Sequence, residues 1–282
     1  MASPDWQRIL GVRFFDGAAP DAVDYITRVG GYTVVPAAPA LVKIENDPAY
    51  RRALVEADLA IADSGFMVLL WRLLRGRTIA RISGLKYLRI LLANPRLRER
   101  GSIFLVLPHQ SSLEKALAWL RHEGFETASD DCHIAPMYSS YSHGSVSREE
   151  GERVSQKRGY SIADDALVAI LQSRKPKHIV IGIGGGMQDK LGSYLKHQLT
   201  YRPGIYCIGA APGFVTGDQV VIPMWADRFF IGWIFRIIGR PRDYLTRYWK
   251  ARLLPLLIIK YRNRDSAIAD KLINRQLFDG LP

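Results

Sequence analysis

Along the chain, short continuous apolar runs alternate with longer stretches whose apolar residues recur at helical spacing. "ILGVRFF" is followed by "DAVDYITRVG", "YTVVPA" by "DPAYRRALVEA", and "DLAIAD" by "GFMVLLWRLL". "SIFLVLP" then precedes "SLEKALAWLRHEG", "HIVIGIG" precedes "MQDKLGSYLKHQL", and "GIYCIGA" closes the series. Repeated strand–helix alternation predicts parallel strands joined by helical crossovers. The unbroken apolar character of the runs predicts strands buried on both faces. The pattern as a whole predicts an α/β fold, Rossmann-like, with parallel sheets and helical crossovers.

The rhythm breaks twice. Residues 126–159 are polar and Ser-rich, which predicts a long loop holding one strand between two α/β halves. Beyond about residue 225 the chain turns aromatic and basic, with Pro241 and Pro255 as helix breakers. This predicts two units: a Rossmann-like domain over 1–224 and a basic, aromatic, helical C-terminal appendage over 225–282. The N-terminus "MASPDWQRILGVRFF" lacks the apolar core of a signal peptide. No apolar stretch of about 18 residues predicts a membrane span.

Composition narrows the class. At 282 residues with 48% hydrophobic and 23% charged, the chain can bury a substantial core and is not a disordered polymer. Its two cysteines, Cys132 and Cys207, form no disulfide framework and suit a reduced interior. Cys132 and His133 are adjacent, but two neighbouring residues without further ligands do not make a metal site. The net charge of +12 is uneven: residues 225–264 hold ten Lys/Arg against two Asp. Such a block calls for an acidic partner or an anionic surface. Basic and aromatic residues together also suit a nucleic-acid binder, yet no recognised nucleic-acid module is present.

Candidate chemistry gathers at two strand ends. "HIVI" runs into Gly182, Gly184, Gly185 and Gly186 just before a helical segment. Glycine lets a ligand approach the backbone closely, and free N–H groups at a helix start favour phosphate. The pattern is neither a full dinucleotide fingerprint nor a P-loop, since no G-K-[ST] follows. Gln188, at the start of that helix, can cap it or bond a sugar, base or phosphate. "DLAIAD" ends in Asp63, where open α/β sheets place ligands; this Asp can cap the helix over 64–74 or act as a general base. Arg81, in "RISGL", can balance a phosphate or pair with a carboxylate.

Three stretches carry a family likeness: "EADLAIADSGFMVLLWRLLRGRTIARISGL", "IVIGIGGGMQDKLG" and "IGAAPGFVTGDQVVIPMWADRFFIGWIFRIIGRPRDYLTRYW". They resemble the WecG/TagA/CpsF glycosyltransferases over most of residues 45–250. That family shows a strand-end Asp, an R-x-x-G element, a G-x-G-x-P-x-Q-E turn and a W-x-x-R-x-x-x-x-P-x-R tail. The tail is the most specific match, through Trp233, Arg236, Pro241 and Arg242.

The resemblance implies an inverting transferase that needs no metal or other cofactor. It implies a UDP-sugar donor of the hexosamine type and an acceptor saccharide on a polyprenyl diphosphate, in bacterial surface polysaccharide synthesis. Asp63 then matches the catalytic base and Arg81 the arginine of the second motif. Gly184, Gly185, Gly186, Gln188 and Asp189 match the substrate-binding turn, with Asp189 where Glu is usual; Arg236 and Arg242 match the tail arginines. The implied location is cytoplasmic, peripheral on the inner face of the membrane, with self-association left open and no nucleic acid. The Trp/Phe and Arg/Lys of the tail suit a segment lying on an anionic bilayer.

Departures cluster near the expected pockets. A family Thr and Asn fall on Pro36 and Ala38, and a family Gly-Gly falls in "PHQSS", residues 108–112. The Pro of the glycine turn falls on Gly186 or its neighbour, and a later Asp on Phe214 or Val215. The alternative they raise is a catalytically degenerate member that binds sugar nucleotide or lipid-linked saccharide without transfer.

Overall fold

The computed structural model describes residues 5–138, 162–209, 211, 213, 232–239, 245, 249 and 251–261. Within them a single eight-stranded sheet forms the middle layer, in the order β1-β2-β4-β3-β8-β7-β5-β6. Its strands are β1 (Asp5–Ile9), β2 (Val12–Asp16), β3 (Gly31–Val34), β4 (Leu59–Ala60), β5 (Ile103–Leu107), β6 (Cys132–Ile134), β7 (His178–Ile181) and β8 (Gly204–Cys207). All pairings are parallel except β1 with β2. The α/β reading and the helical crossovers therefore hold, with an antiparallel hairpin added at one edge.

That hairpin corrects the reading of "ILGVRFF" as one strand. Ile9 pairs with Val12, and the turn residues Leu10 and Gly11 take φ of 52° and 80°. Two consecutive positive φ values make the tight turn that matches the twist of antiparallel strands. A leucine there is unusual, so Gly11 alone carries the turn signal.

Strand alternation divides the core. Tyr32, Val34, Phe104, Val106, Ile179 and Ile181 point to one face. Ile103, Leu105, Leu107, Val180, Tyr206 and Ile208 point to the other. The first face is covered by α3 (Pro48–Val55), α4 (Gly65–Arg75), α7 (Asp165–Arg174), α8 (Met187–Gln198) and α10 (Leu254–Lys260), after the short α2 (Ala38–Leu41). The second is covered by α1 (Ala19–Val29), α5 (Gly84–Leu92) and α6 (Gln110–His122). A further helix, α9 (Gly232–Gly239), packs against α4. A sheet buried on both sides explains why its strands read as unbroken apolar runs.

The strand expected within 126–159 exists: β6 extends the sheet beside β5, while residues 139–159 of that loop lie outside the described residues. Strands from before and after this loop join one sheet through the parallel pairing of β3 with β8. No helix of the described residues is long and apolar enough to cross a membrane.

Candidate active site

Sheet order fixes where a crevice must open. The chain leaves β5 through α6 toward β6, on the second face. It leaves β7, the strand beside β5, through α8 toward β8, on the first face. Neighbouring strands whose connections depart to opposite sides leave a gap beyond their carboxyl ends, where open α/β sheets bind ligands. The glycine turn follows β7 directly into this gap. Pro108, His109 and Gln110 follow β5 on its other side.

The turn itself is built for exposed backbone. Gly184 and Gly186 take φ of 104° and 93°, which side chains other than glycine resist. A Cβ added at Gly184, Gly185 or Gly186 would meet no atom within 4 Å, so the turn faces open space. It leads into the N-terminus of α8, where the Gln188 N–H bonds to Gly184 O at 3.1 Å and the positive end of the helix dipole favours an anion.

Gln188 and Asp189 stand behind the turn. Both are 1% exposed. The Gln188 amide donates from Nε2 to Cys207 O (3.2 Å) and accepts at Oε1 from the Gly209 N–H (3.0 Å). It thus ties the end of β8 to the start of α8 rather than reaching a ligand with its side chain. Asp189 Oδ2 accepts from the Gly186 N–H at 2.9 Å, clamping the turn from within. Burial pushes its carboxyl up to about 7, against the pull of the Gly186 N–H and other donors. Its second oxygen, Oδ1, is buried without a hydrogen-bond partner.

Asp63 sits two strands away from β8, past the end of β4. It does not cap its own helix. Ser64 does, accepting from the Met67 N–H at 3.3 Å. Asp63 Oδ1 instead accepts from the Gly84 N–H, the first residue of α5, at 3.0 Å. Arg81 lies alongside: Ala62 and Arg81 form a parallel bridge, and Arg81 Nε donates to Asp63 O at 2.9 Å. The strand-end Asp and the R-x-x-G arginine, 18 residues apart in sequence, are thus direct neighbours.

A continuous chain of contacts joins the two halves of the site. Asp63 holds Gly84, and a Cβ on Gly84 would come within 3.1 Å of Ile208 O, so α5 starts hard against the end of β8. Gly209, next along, is held by Gln188, which opens α8 beside the glycine turn. Asp63, Arg81, Gly84, Gln188 and the turn therefore share one edge of the sheet. Gly84 is the glycine of the R-x-x-G element, and its place against β8 depends on a strand more than a hundred residues later, which no local pattern announces.

Other expected positions resolve differently. Pro36 and Ala38 are buried at the end of β3 and the start of α2, where Ala38 joins the core. The backbone of Arg236 lies in α9; its side chain and all of Arg242 lie outside the described residues. Residues 214 and 215 also lie outside them. Among the described residues no group of three or more His, Cys, Asp and Glu gathers as metal ligands. Burial raises the Cys132 thiol to about 12 and the Cys207 thiol well above its usual range, so both are protonated and unreactive at neutral pH.

No curated protein matches the chain. A family model does, over residues 7–267, which is nearly the whole length. The sheet from Gln7 onward, the crevice and the strand-end pair Asp63–Arg81 lie within that match. The chain belongs to the glycosyl transferase WecG/TagA/CpsF family.

Proposed function

We propose that the protein is an inverting glycosyltransferase. It moves a hexosamine-type or related hexose sugar from a UDP-sugar to a saccharide on a polyprenyl diphosphate, in bacterial surface polysaccharide synthesis. It works on the cytoplasmic face of the membrane, without a metal. The observation that carries this reading is the glycine turn: bare backbone facing open space, at the switch point of the sheet and the start of α8. That arrangement suits the diphosphate of a nucleotide sugar.

Asp63 is the base of this mechanism. The Gly84 N–H fixes one of its oxygens, which leaves the orientation of the carboxylate defined. Its other oxygen takes the proton of the acceptor hydroxyl as the hydroxyl oxygen bonds to the anomeric carbon. The bond from that carbon to the UDP oxygen breaks on the opposite side, and UDP carries off the electron pair. Arg81 and the amides of the turn stabilise the charge on the departing diphosphate. Arg236 and Arg242, which the family likeness matches to its tail arginines, join in stabilising that departing diphosphate.

A second reading is favoured by one observation. Pro36 and Ala38 are buried packing residues where the family likeness places Thr and Asn. A relative that binds sugar nucleotide or lipid-linked saccharide without transferring would fit this loss.

The two readings separate in a transfer assay with a panel of UDP-sugars and a water-soluble polyprenyl-diphosphate acceptor. Asp63→Asn is expected to slow transfer by about 10²–10⁴-fold, the range for a lost general base. UDP affinity in the same variant should stay close to wild type. Wild-type turnover in Asp63→Asn would remove Asp63 from the mechanism, and nucleotide binding with no transfer by the unaltered chain would favour the second reading.

A further inference from the structure

Two helices of this chain are apolar on more sides than the core can use. On α4, Met67, Val68 and Trp71 enter the core. Leu69, Arg72, Leu73 and Gly76 follow one another at the spacing of a second stripe, and all four are exposed, Leu73 at 79%. On α10, Leu254, Leu257 and Ile258 are buried, while Leu253, Leu256 and Ile259 are exposed, Leu256 at 62%. Both α9, with exposed Ile238, and α10 pack against α4. Among the described residues, most of the large exposed hydrophobic side chains belong to these three helices and the residues between them. Apolar exposure gathered in one region marks an interaction surface.

Charge identifies the occupant. Residues 64–80 hold Arg72, Arg75 and Arg77 and no acidic residue, and residues 225–264 carry ten Lys/Arg against two Asp. Arg252 stacks over the exposed Trp249 at 4.1 Å, pairing a cationic head with an aromatic ring, as at membrane interfaces. Glu45, an acidic residue beside α10, is engaged by Lys260 and Tyr261. A second copy of the chain would bring this basic surface against its own like charges, which opposes association.

We propose that α4, α9 and α10 together form a docking surface for an anionic lipid bilayer, in which Leu69 and Leu73 of α4 insert beside the exposed leucines of α10. The membrane surface thus extends beyond the C-terminal appendage to a helix of the catalytic domain. Leu69 lies about 6 Å along α4 from Gly65 at 1.5 Å per residue, and Asp63 precedes that helix by two residues. Docking through α4 therefore holds the base close to the lipid surface, where a polyprenyl-linked acceptor presents its saccharide; this consequence rests on the proposed function.

The test is flotation of the full-length chain with phosphatidylcholine vesicles, with and without phosphatidylglycerol. Wild type is expected to bind the anionic vesicles and release them as salt rises. Leu69→Ser/Leu73→Ser and, separately, Arg72→Glu/Arg77→Glu are each expected to lose roughly tenfold or more of that binding. Because these side chains are exposed, both variants should keep the melting temperature of wild type and its transfer to a water-soluble acceptor. Full vesicle binding by both variants overturns the proposal, as does a wild type that ignores anionic vesicles. A wild-type dimer that the leucine variant dissolves, with vesicle binding unchanged, assigns the surface to a second copy and also overturns it. Vesicle binding without any transfer would defeat the proposed function and leave the docking surface standing.

Discussion

Asp189 shows how far a residue's setting can depart from its motif. The family likeness places it in a substrate-binding turn, and the structure puts it behind that turn, holding the Gly186 N–H. Tyr32 and Tyr50 lie close on neighbouring elements, Cys207 faces it from β8, Glu56 is near Tyr32, and Lys190 with Asp47 stands at the helix rim. Burial raises its carboxyl to about 7. An unfolded Asp, near 3.9, gives up its proton well before the folded one. Between those values the folded state holds the extra proton, so this contribution to stability is full in acid and is lost as pH rises toward 7. Asp189→Asn, which can still accept from Gly186, should melt near wild type at pH 4 and several degrees higher at pH 8. In a chain this size each kcal/mol moves the melting temperature by roughly 2–4 °C. Equal melting shifts at the two pH values would place the charge elsewhere. Asp63, Arg81 and the glycines were legible in the sequence because motif spacing marks them. The buried engagement of Gln188 and Asp189 was not, because it depends on β8 passing beside α8.

At the scale of elements, what the pattern exposed and what it hid have distinct causes. The buried parallel strands were plain, since burial on both faces makes them continuous apolar runs. The β1–β2 hairpin was hidden by Leu10, a residue without turn character at a positive φ. The strand–helix alternation predicted neither α5, which follows α4 directly, nor α7, which precedes β7. Helix α8 carries a glycine in its interior, which propensity alone counts as a weakness of about 1 kcal/mol. The structure gives the reason for it: a Cβ on Gly192 would come within 2.5 Å of both Cys207 Sγ and the Tyr32 ring. Gly192→Ala should therefore destabilise the protein by about 1–3 kcal/mol, as overpacked cores do, rather than stabilise its helix. Urea unfolding would check the sign, and a rise in stability would mean the helix can shift away from β3 and β8.

At the scale of the whole molecule, one sheet gathers residues from segments far apart in the chain, from Asp63 to Gly209, at one edge. The sequence announced the α/β class but not the strand order, because order depends on pairings such as β3 with β8 between segments about 170 residues apart. Only that order shows the glycine turn at the switch point. The same large-scale view sets the basic, apolar helices α4, α9 and α10 at one surface. The central claim is that a nucleotide diphosphate rests on the bare turn. Gly185 offers the cleanest access to it, because a side chain there meets open space and its backbone lies outside the glycine-favouring region. Gly185→Val should fold and melt like wild type while its side chain fills the ligand's place. The most direct measurement is isothermal titration of UDP into wild type and Gly185→Val. UDP is expected to bind wild type and to bind the variant at least about tenfold more weakly, a loss of about 1.4 kcal/mol. Equal UDP affinity in a folded Gly185→Val protein would contradict it and move the nucleotide away from the crevice beyond β5 and β7.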